Sequence, residues 1–188
     1  LSCPVAFADS WLRYLEGLAA KEEATAEEVK AAERATQEET DDDREAESRT
    51  AHASRTVGAW LKPIADKLQG EMAAVNEALL RLGLKKDGKP PAQLDPVRDA
   101  RFDALKEWTD GHLRTAGKWR DDERLVIFTE YKTTLDYLER RLRVLYPERG
   151  AIRILYGGME EKERDAIKAA FNDPQDPIRV LVATDAAS

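Results

Sequence analysis

The sequence predicts an α/β fold: a parallel sheet laid down as strand, helix, strand, helix, strand (βαβαβ) over Arg124 to Ser188, preceded by a helical hairpin or bundle. The first observation is three short apolar, β-favouring runs, each closed by a polar or glycine-bearing loop. They are Leu125-Val126-Ile127-Phe128, Ile152-Arg153-Ile154-Leu155-Tyr156 and Ile178-Arg179-Val180-Leu181-Val182. The second is the spacing between them. Leu135, Leu138, Leu142 and Leu145, and then Ile167, Ala170 and Phe171, recur at three- and four-residue steps, so each intervening segment can lay one apolar stripe on a sheet. Strands joined by helices of this length run parallel, with right-handed crossovers. The third is upstream, where Val57, Leu61, Ile64, Leu68, Met72, Val75, Leu79 and Leu82 form the seam of a helix that pairs with another helix.

In chain order, Leu1 to about Ala20 is expected to be a helix, with Pro4 in its first turn and Val5, Ala8, Trp11, Leu12, Leu15 and Leu18 as its packed stripe. Lys21 to Arg49 is rich in Ala, Glu, Lys and Arg with Val29 as its only larger aliphatic. It reads as a solvated helix or a partly disordered loop around Asp41-Asp42-Asp43. An acidic lid that imitates DNA is the sharper alternative, but charge runs are usually solvated faces. Pro63 predicts that the regular helix of the 57–82 seam starts or kinks there. The expected organisation is a helical region over 1–82, a linker over 83–95 marked by glycines and Pro90-Pro91, and an α/β region over 96–188. That last region opens on a helix from Pro96 to about Thr115, with Val97, Phe102, Leu105, Trp108 and Leu113 as apolar positions.

Composition bounds the function. Net charge is −7, yet residues 1–50 alone hold fourteen acidic and six basic residues, or −8, leaving +1 on the rest. Overall acidity argues against a phosphate-binding face, but the excess sits in the N-terminal stretch, which is not expected to lie against phosphates. One cysteine, Cys3, forbids an internal disulfide and suits a reducing cytoplasm. Two histidines and that cysteine are too few for an ordinary zinc site. No apolar run approaches the roughly 20 residues a membrane helix needs, and no secretory signal is visible. A chain that opens on Leu1 and stops just past an alanine pair reads as an excised piece. Gly83 to Pro90 is one residue short of a phosphate-loop pattern and carries proline where a hydroxyl should hold magnesium, so it is rejected. Asp122-Glu123 precedes a strand where an acidic metal motif should follow one, and reads as loop.

In a parallel sheet ligands gather at the carboxyl ends of the strands. Those ends are Thr129-Glu130-Tyr131, Gly157-Gly158-Met159 and Thr184-Asp185-Ala186. The runs LVIFTEYKTTLDYL, ILYGGMEEKERDAIKAAFND and VLVATDAAS, in that order, resemble the second RecA-like lobe of a superfamily 2 helicase. More narrowly, TEYKTTLDYL after the strand, and the spacing from Gly158 through Glu163-Arg164 to Asn172, resemble the Swi/Snf-type DNA translocases. The VATDAAS ending is closer to their bacterial, RapA-like branch, which suggests a bacterial-type cytoplasmic protein. The resemblance covers the last third of the chain well and the rest loosely. It implies a partial RecA-like parallel sheet.

The resemblance also implies roles. Thr129, Glu130 and Tyr131, the Gly157-Gly158 pair, and Thr184 would face nucleic acid, with duplex DNA as the expected partner. Asp185 would lie toward the ATP ribose or the network coupling the two ligands, and ATP with magnesium would sit between this lobe and a first lobe of the parent chain. Each residue also has a plainer reading: Thr129 as a helix cap, Gly157-Gly158 as a tight turn, Thr184-Asp185 as a turn. Glu163 and Arg164 are read as structural, Arg164 through ion pairs. No catalytic residue is assigned, since the chain shows no phosphate loop, no acidic metal motif in context and no later arginine that would reach a γ-phosphate. The alternative from another class is a non-catalytic helical interaction module, using the 57–82 seam for a protein partner and the α/β part as scaffold.

Overall fold

The computed structural model describes residues 3–86 and 89–184; Leu1, Ser2, Asp87, Gly88 and Asp185 to Ser188 lie outside the description. The chain divides into two compact units, one formed by residues 1–40 and 44–97, the other by Asp41–Asp43 and Arg98–Ser188.

The first unit is helical. Helix α1 (Pro4–Leu18) begins as expected, with Pro4 in the first turn, and buries Val5, Ala8 and Gly17. Helix α2 (Ala26–Gln37) settles the ambiguous acidic stretch by a reciprocal capping box. Glu28 N–H donates to Thr25 Oγ1 at 3.2 Å, while Thr25 N–H donates to Glu28 Oε2 at 2.7 Å. Val29 and Ala32 give this helix a small buried face. Helix α3 (Asp43–Leu61) follows, and its Arg49 donates to the Ala35 and Glu38 carbonyls at the end of α2. Pro63, which lacks an N–H, then forces a change of helix type. Lys62–Leu68 is a 3₁₀ segment, and the α-helix resumes only as α4 (Gln69–Arg81).

The 57–82 seam is therefore interrupted at Pro63, where the regular helix was expected to start or kink. Among its apolar positions Leu79 is fully packed, whereas Ile64 is 42% exposed. The expected linker is also more than a spacer: Leu84, Pro91 and Leu94 are buried, and Pro91–Gln93 forms a short 3₁₀ turn. Val97, expected on an apolar helix face, is 74% exposed and precedes the helix.

The second unit begins with α5 (Ala100–His112). Asp99 stops the chain from starting earlier, its carboxylate capping the amides of Arg101 and Phe102, each at 3.1 Å. A hairpin that periodicity could not reveal follows, β1 (Arg114–Thr115) against β2 (Lys118–Trp119), turning through Ala116 (φ 51°) and Gly117 (φ 79°). Then come β3 (Leu125–Thr129), α6 (Lys132–Leu145), β4 (Ile152–Leu155), α7 (Glu161–Asn172) and β5 (Val180–Thr184). The strands form one parallel sheet in the order β3–β5–β4, a partial RecA-like α/β fold preceded by helices.

The central strand β5 is buried at every residue, as a strand covered on both faces must be. It starts two residues later than its sequence run, because the amides of both Arg179 and Val180 are taken by the Ala151 carbonyl. On one face Val180, Val182 and Ile152 pack with Leu135, Leu142, Tyr146 and Phe102; on the other, Leu155, Leu181 and Ala183 meet Met159, Ile167 and Phe171. Leu145, expected in the α6 stripe, is 37% exposed, whereas Leu142 and Tyr146 to either side of it are buried in the core. Arg124 closes the end of α7: its guanidinium donates to the carbonyls of Ala170, Phe171, Asp173 and Asp176 and lies over the Phe171 ring. On β3, Val126 and Phe128 point away from the core, Phe128 at 67% exposure.

Candidate nucleic-acid interface

Parallel register brings the strand ends to one edge. Thr129 of β3 is paired with Thr184 of β5, and Leu155 of β4 with Ala183 of β5. The loops after β3 and β4 therefore leave beside the end of β5, where a doubly covered parallel sheet leaves room for a ligand.

At that edge the donors converge on one oxygen. Gly157 N–H donates to Asp43 Oδ2 at 2.7 Å, and Thr184 Oγ1 donates to the same oxygen at 2.7 Å. Gly157 N–H also approaches Thr184 Oγ1 at 3.3 Å, so amide and hydroxyl are mutually placed. Thr184 is fully buried and Gly157 is buried. The next residue shows why two glycines stand here. Gly158 has φ +86°, a conformation that a side chain resists, and an added Cβ would lie 2.9 Å from Asp42 Oδ1. Asp42 and Asp43 thus rest against the glycine turn.

Asp41 and Asp42 are exposed, as the reading of a solvated charge run expects, but Asp43 departs from it. Asp43 is only 5% exposed, and two directed donors offset part of the cost of taking its carboxylate out of water. Its first signal in the sequence was the alternative of an acidic lid. Its partners, more than a hundred residues away in sequence, gave no signal at all.

The first loop is arranged differently. Thr129 is not the cap of α6; that position is Tyr131, which makes no side-chain capping bond. Instead Thr129 Oγ1 accepts weakly from the Tyr131 amide at 3.4 Å. Glu130 and Tyr131 are exposed, and the Tyr131 hydroxyl is held above its usual pKa, first by partial burial and then by Glu130. Sequence reasoning missed Lys132. Its Nζ lies 4.4 Å from the Tyr156 ring centroid, where it spans from the first loop to the end of β4, and 2.6 Å from Asp136. Glu163 and Arg164 sit in the first turn of α7, their amides donating to the Glu160 carbonyl at 2.9 and 3.0 Å. Among the described residues Arg164 makes no ion pair, so the expected ion-pair role is not seen for it. Asp185, the residue expected to couple to ATP, lies outside the described residues.

Among the described residues no group of three or more His, Cys, Asp or Glu side chains could hold a metal ion. No described helix is long and apolar enough to cross a membrane.

The geometry defines an α/β lobe in which the Gly157 amide and the Thr184 hydroxyl hold the Asp43 carboxylate at the carboxyl edge of the sheet. Residues 102–188 match the family described as the helicase conserved C-terminal domain. The match supports a superfamily 2 helicase C-terminal lobe over that stretch, and hence a part of a helicase-like protein. The chain has no match among curated proteins or among solved structures.

Proposed function

We propose that this chain contributes the nucleic-acid-facing edge of the second lobe of an ATP-dependent DNA translocase of the Swi/Snf, RapA-like type. The observation that carries the reading is the convergence of the Gly157 amide and the Thr184 hydroxyl on a single anionic oxygen. A phosphodiester oxygen presents the same charge and the same acceptor geometry. Thr129, in register with Thr184, and the exposed Glu130 and Tyr131 extend that edge along a backbone. ATP would be taken between this lobe and a first lobe. The residues proposed here bind and position DNA and carry out no bond-making step, so the isolated chain is expected neither to hydrolyse ATP nor to translocate.

The test is binding of fluorescently labelled duplex and single-stranded oligonucleotides, followed by anisotropy at low and moderate salt. The expected result is duplex binding that weakens as salt rises and weakens further in Thr129→Ala and Thr184→Val. Indifference of both DNA forms to these changes overturns the reading. A second reading, a helical interaction module, draws on the exposure of Trp60 (43%) and Ile64 (42%) around the 57–82 stretch. Self-association of the chain that Ile64→Glu abolishes, combined with indifference to DNA, is the outcome that would favour it.

A further inference from the structure

We infer that Asp43 is an autoinhibitory latch: its carboxylate occupies the oxyanion seat made by Gly157 and Thr184, and must leave before a nucleic-acid phosphate can enter. The inference rests on the proposed DNA-facing role of that edge and adds its regulation. Three observations carry it. Asp43 Oδ2 receives both donors of the seat at 2.7 Å, which is full occupancy by a group of the same charge as phosphate. Thr184 is fully buried and Gly157 is buried, so no external ligand reaches either donor while Asp43 is in place. The adjacent Asp42 carboxylate fills the space over Gly158 that a missing side chain leaves open.

The contact is also built to be reversible. A carboxylate at 5% exposure is costly, and among the described residues Asp43 has no cationic partner, only one amide and one hydroxyl. Released, Asp43 regains full hydration, and it still stands at the first residue of α3, where a negative charge is favourable. A polymer that offers several phosphates along the edge has contacts that a single carboxylate lacks. Apparent affinity for DNA is then the intrinsic affinity scaled by the fraction of molecules with the latch open.

The experiment measures anisotropy of a labelled duplex with the native chain, Asp43→Ala, Glu39→Ala and Asp43→Ala combined with Thr184→Val. With a latch that is open in about one molecule in ten, Asp43→Ala binds about ten-fold tighter than the native chain. Glu39→Ala, which removes the same charge at an exposed position, changes affinity by less than about two-fold. Adding Thr184→Val reverses the gain. Native-like or weaker binding by Asp43→Ala, with Thr184→Val still harmful in the native background, overturns the latch and leaves the DNA-facing role standing. No binding by any variant overturns both. Should Asp43→Ala fail to fold by thermal melt, hydrogen exchange of the native chain decides. Duplex that speeds exchange in residues 38–46 while protecting 156–160 supports the latch, and protection at 156–160 with 38–46 unchanged overturns it.

Discussion

Tyr137 donates its phenolic hydrogen to Asp99 at 2.6 Å, and the other oxygen of the same carboxylate caps the amides of Arg101 and Phe102. One buried aspartate thus starts α5 and ties it to α6, while Arg141 donates to the Tyr137 oxygen at 2.7 Å and covers Phe102 at 3.8 Å. Asp99→Ala loses the cap and leaves a buried hydroxyl without its acceptor. A loss of about 2–4 kcal/mol is expected, and Asp99→Asn, which keeps a capping oxygen, should lose less. Urea unfolding of the three proteins makes the comparison.

Alkaline pH should destabilise the second unit. Burial, reinforced by the hydrogen bond to Asp110 at 3.0 Å, pushes the Tyr146 hydroxyl up to about 12, and burial with Asp99 also raises Tyr137. Both groups fold in the protonated form. Their contribution is complete below the ordinary tyrosine value near 10 and is lost as pH rises through the folded value, about 12 for Tyr146. Thermal melts from pH 8 upward should show Tm falling in that window. Tyr146→Phe should be less stable at neutral pH, by about 1 kcal/mol, but lose less on going alkaline.

In the helical unit, Gly17 and Gly58 are set against backbone. A Cβ on Gly17 would lie 2.0 Å from the Arg55 carbonyl oxygen, and one on Gly58 would lie 2.1 Å from that of Tyr14. Backbone cannot swing aside as a side chain can, so Gly17→Ala and Gly58→Ala should each cost about 3 kcal/mol or more, by forcing α1 and α3 apart. Gly70, in the first turn of α4, has nothing within 4 Å of its Cβ position. Gly70→Ala should gain about 0.5–1 kcal/mol, because only the flexibility of the unfolded chain changes. Denaturant midpoints of the three variants would reverse this ordering if the helix contact were loose.

Arg124 offers a local test of how the sheet holds α7. Its guanidinium serves four carbonyls, and a lysine carries the charge without the planar fork. Arg124→Lys is expected to cost about 1–2 kcal/mol and Arg124→Ala about 2–4 kcal/mol. Hydrogen exchange should locate the loosening in residues 170–176.

The sheet was legible in the sequence because each strand is a short run of Val, Ile and Leu bounded by polar turns, and the two connecting helices carry single apolar stripes. What failed to show has physical causes. The β1–β2 hairpin has two residues per strand, too few for any period. The end of β5 is Ala183-Thr184, whose burial comes from neighbours rather than from its own hydrophobicity. The 57–82 seam kept its spacing through Lys62–Leu68 even though the backbone there is 3₁₀. At the candidate site, the double glycine and Thr184 could be singled out from position alone. Asp43 could not be placed, because composition makes an acidic run look solvated and only the fold brings it to donors so distant in sequence.

The strand order also bears on synthesis. Among the described strands β3 and β4 are not neighbours, and each pairs with β5. As the chain leaves the ribosome, the described strand that pairs with both of them is missing until Val180–Thr184 has emerged. The intervening stretch, α6 included, must wait with apolar strand edges open, which slows folding and invites pairing with other nascent chains. The strand made last among those described is the one that closes the sheet, so a ribosome pausing shortly before it would hold the lobe at its stickiest.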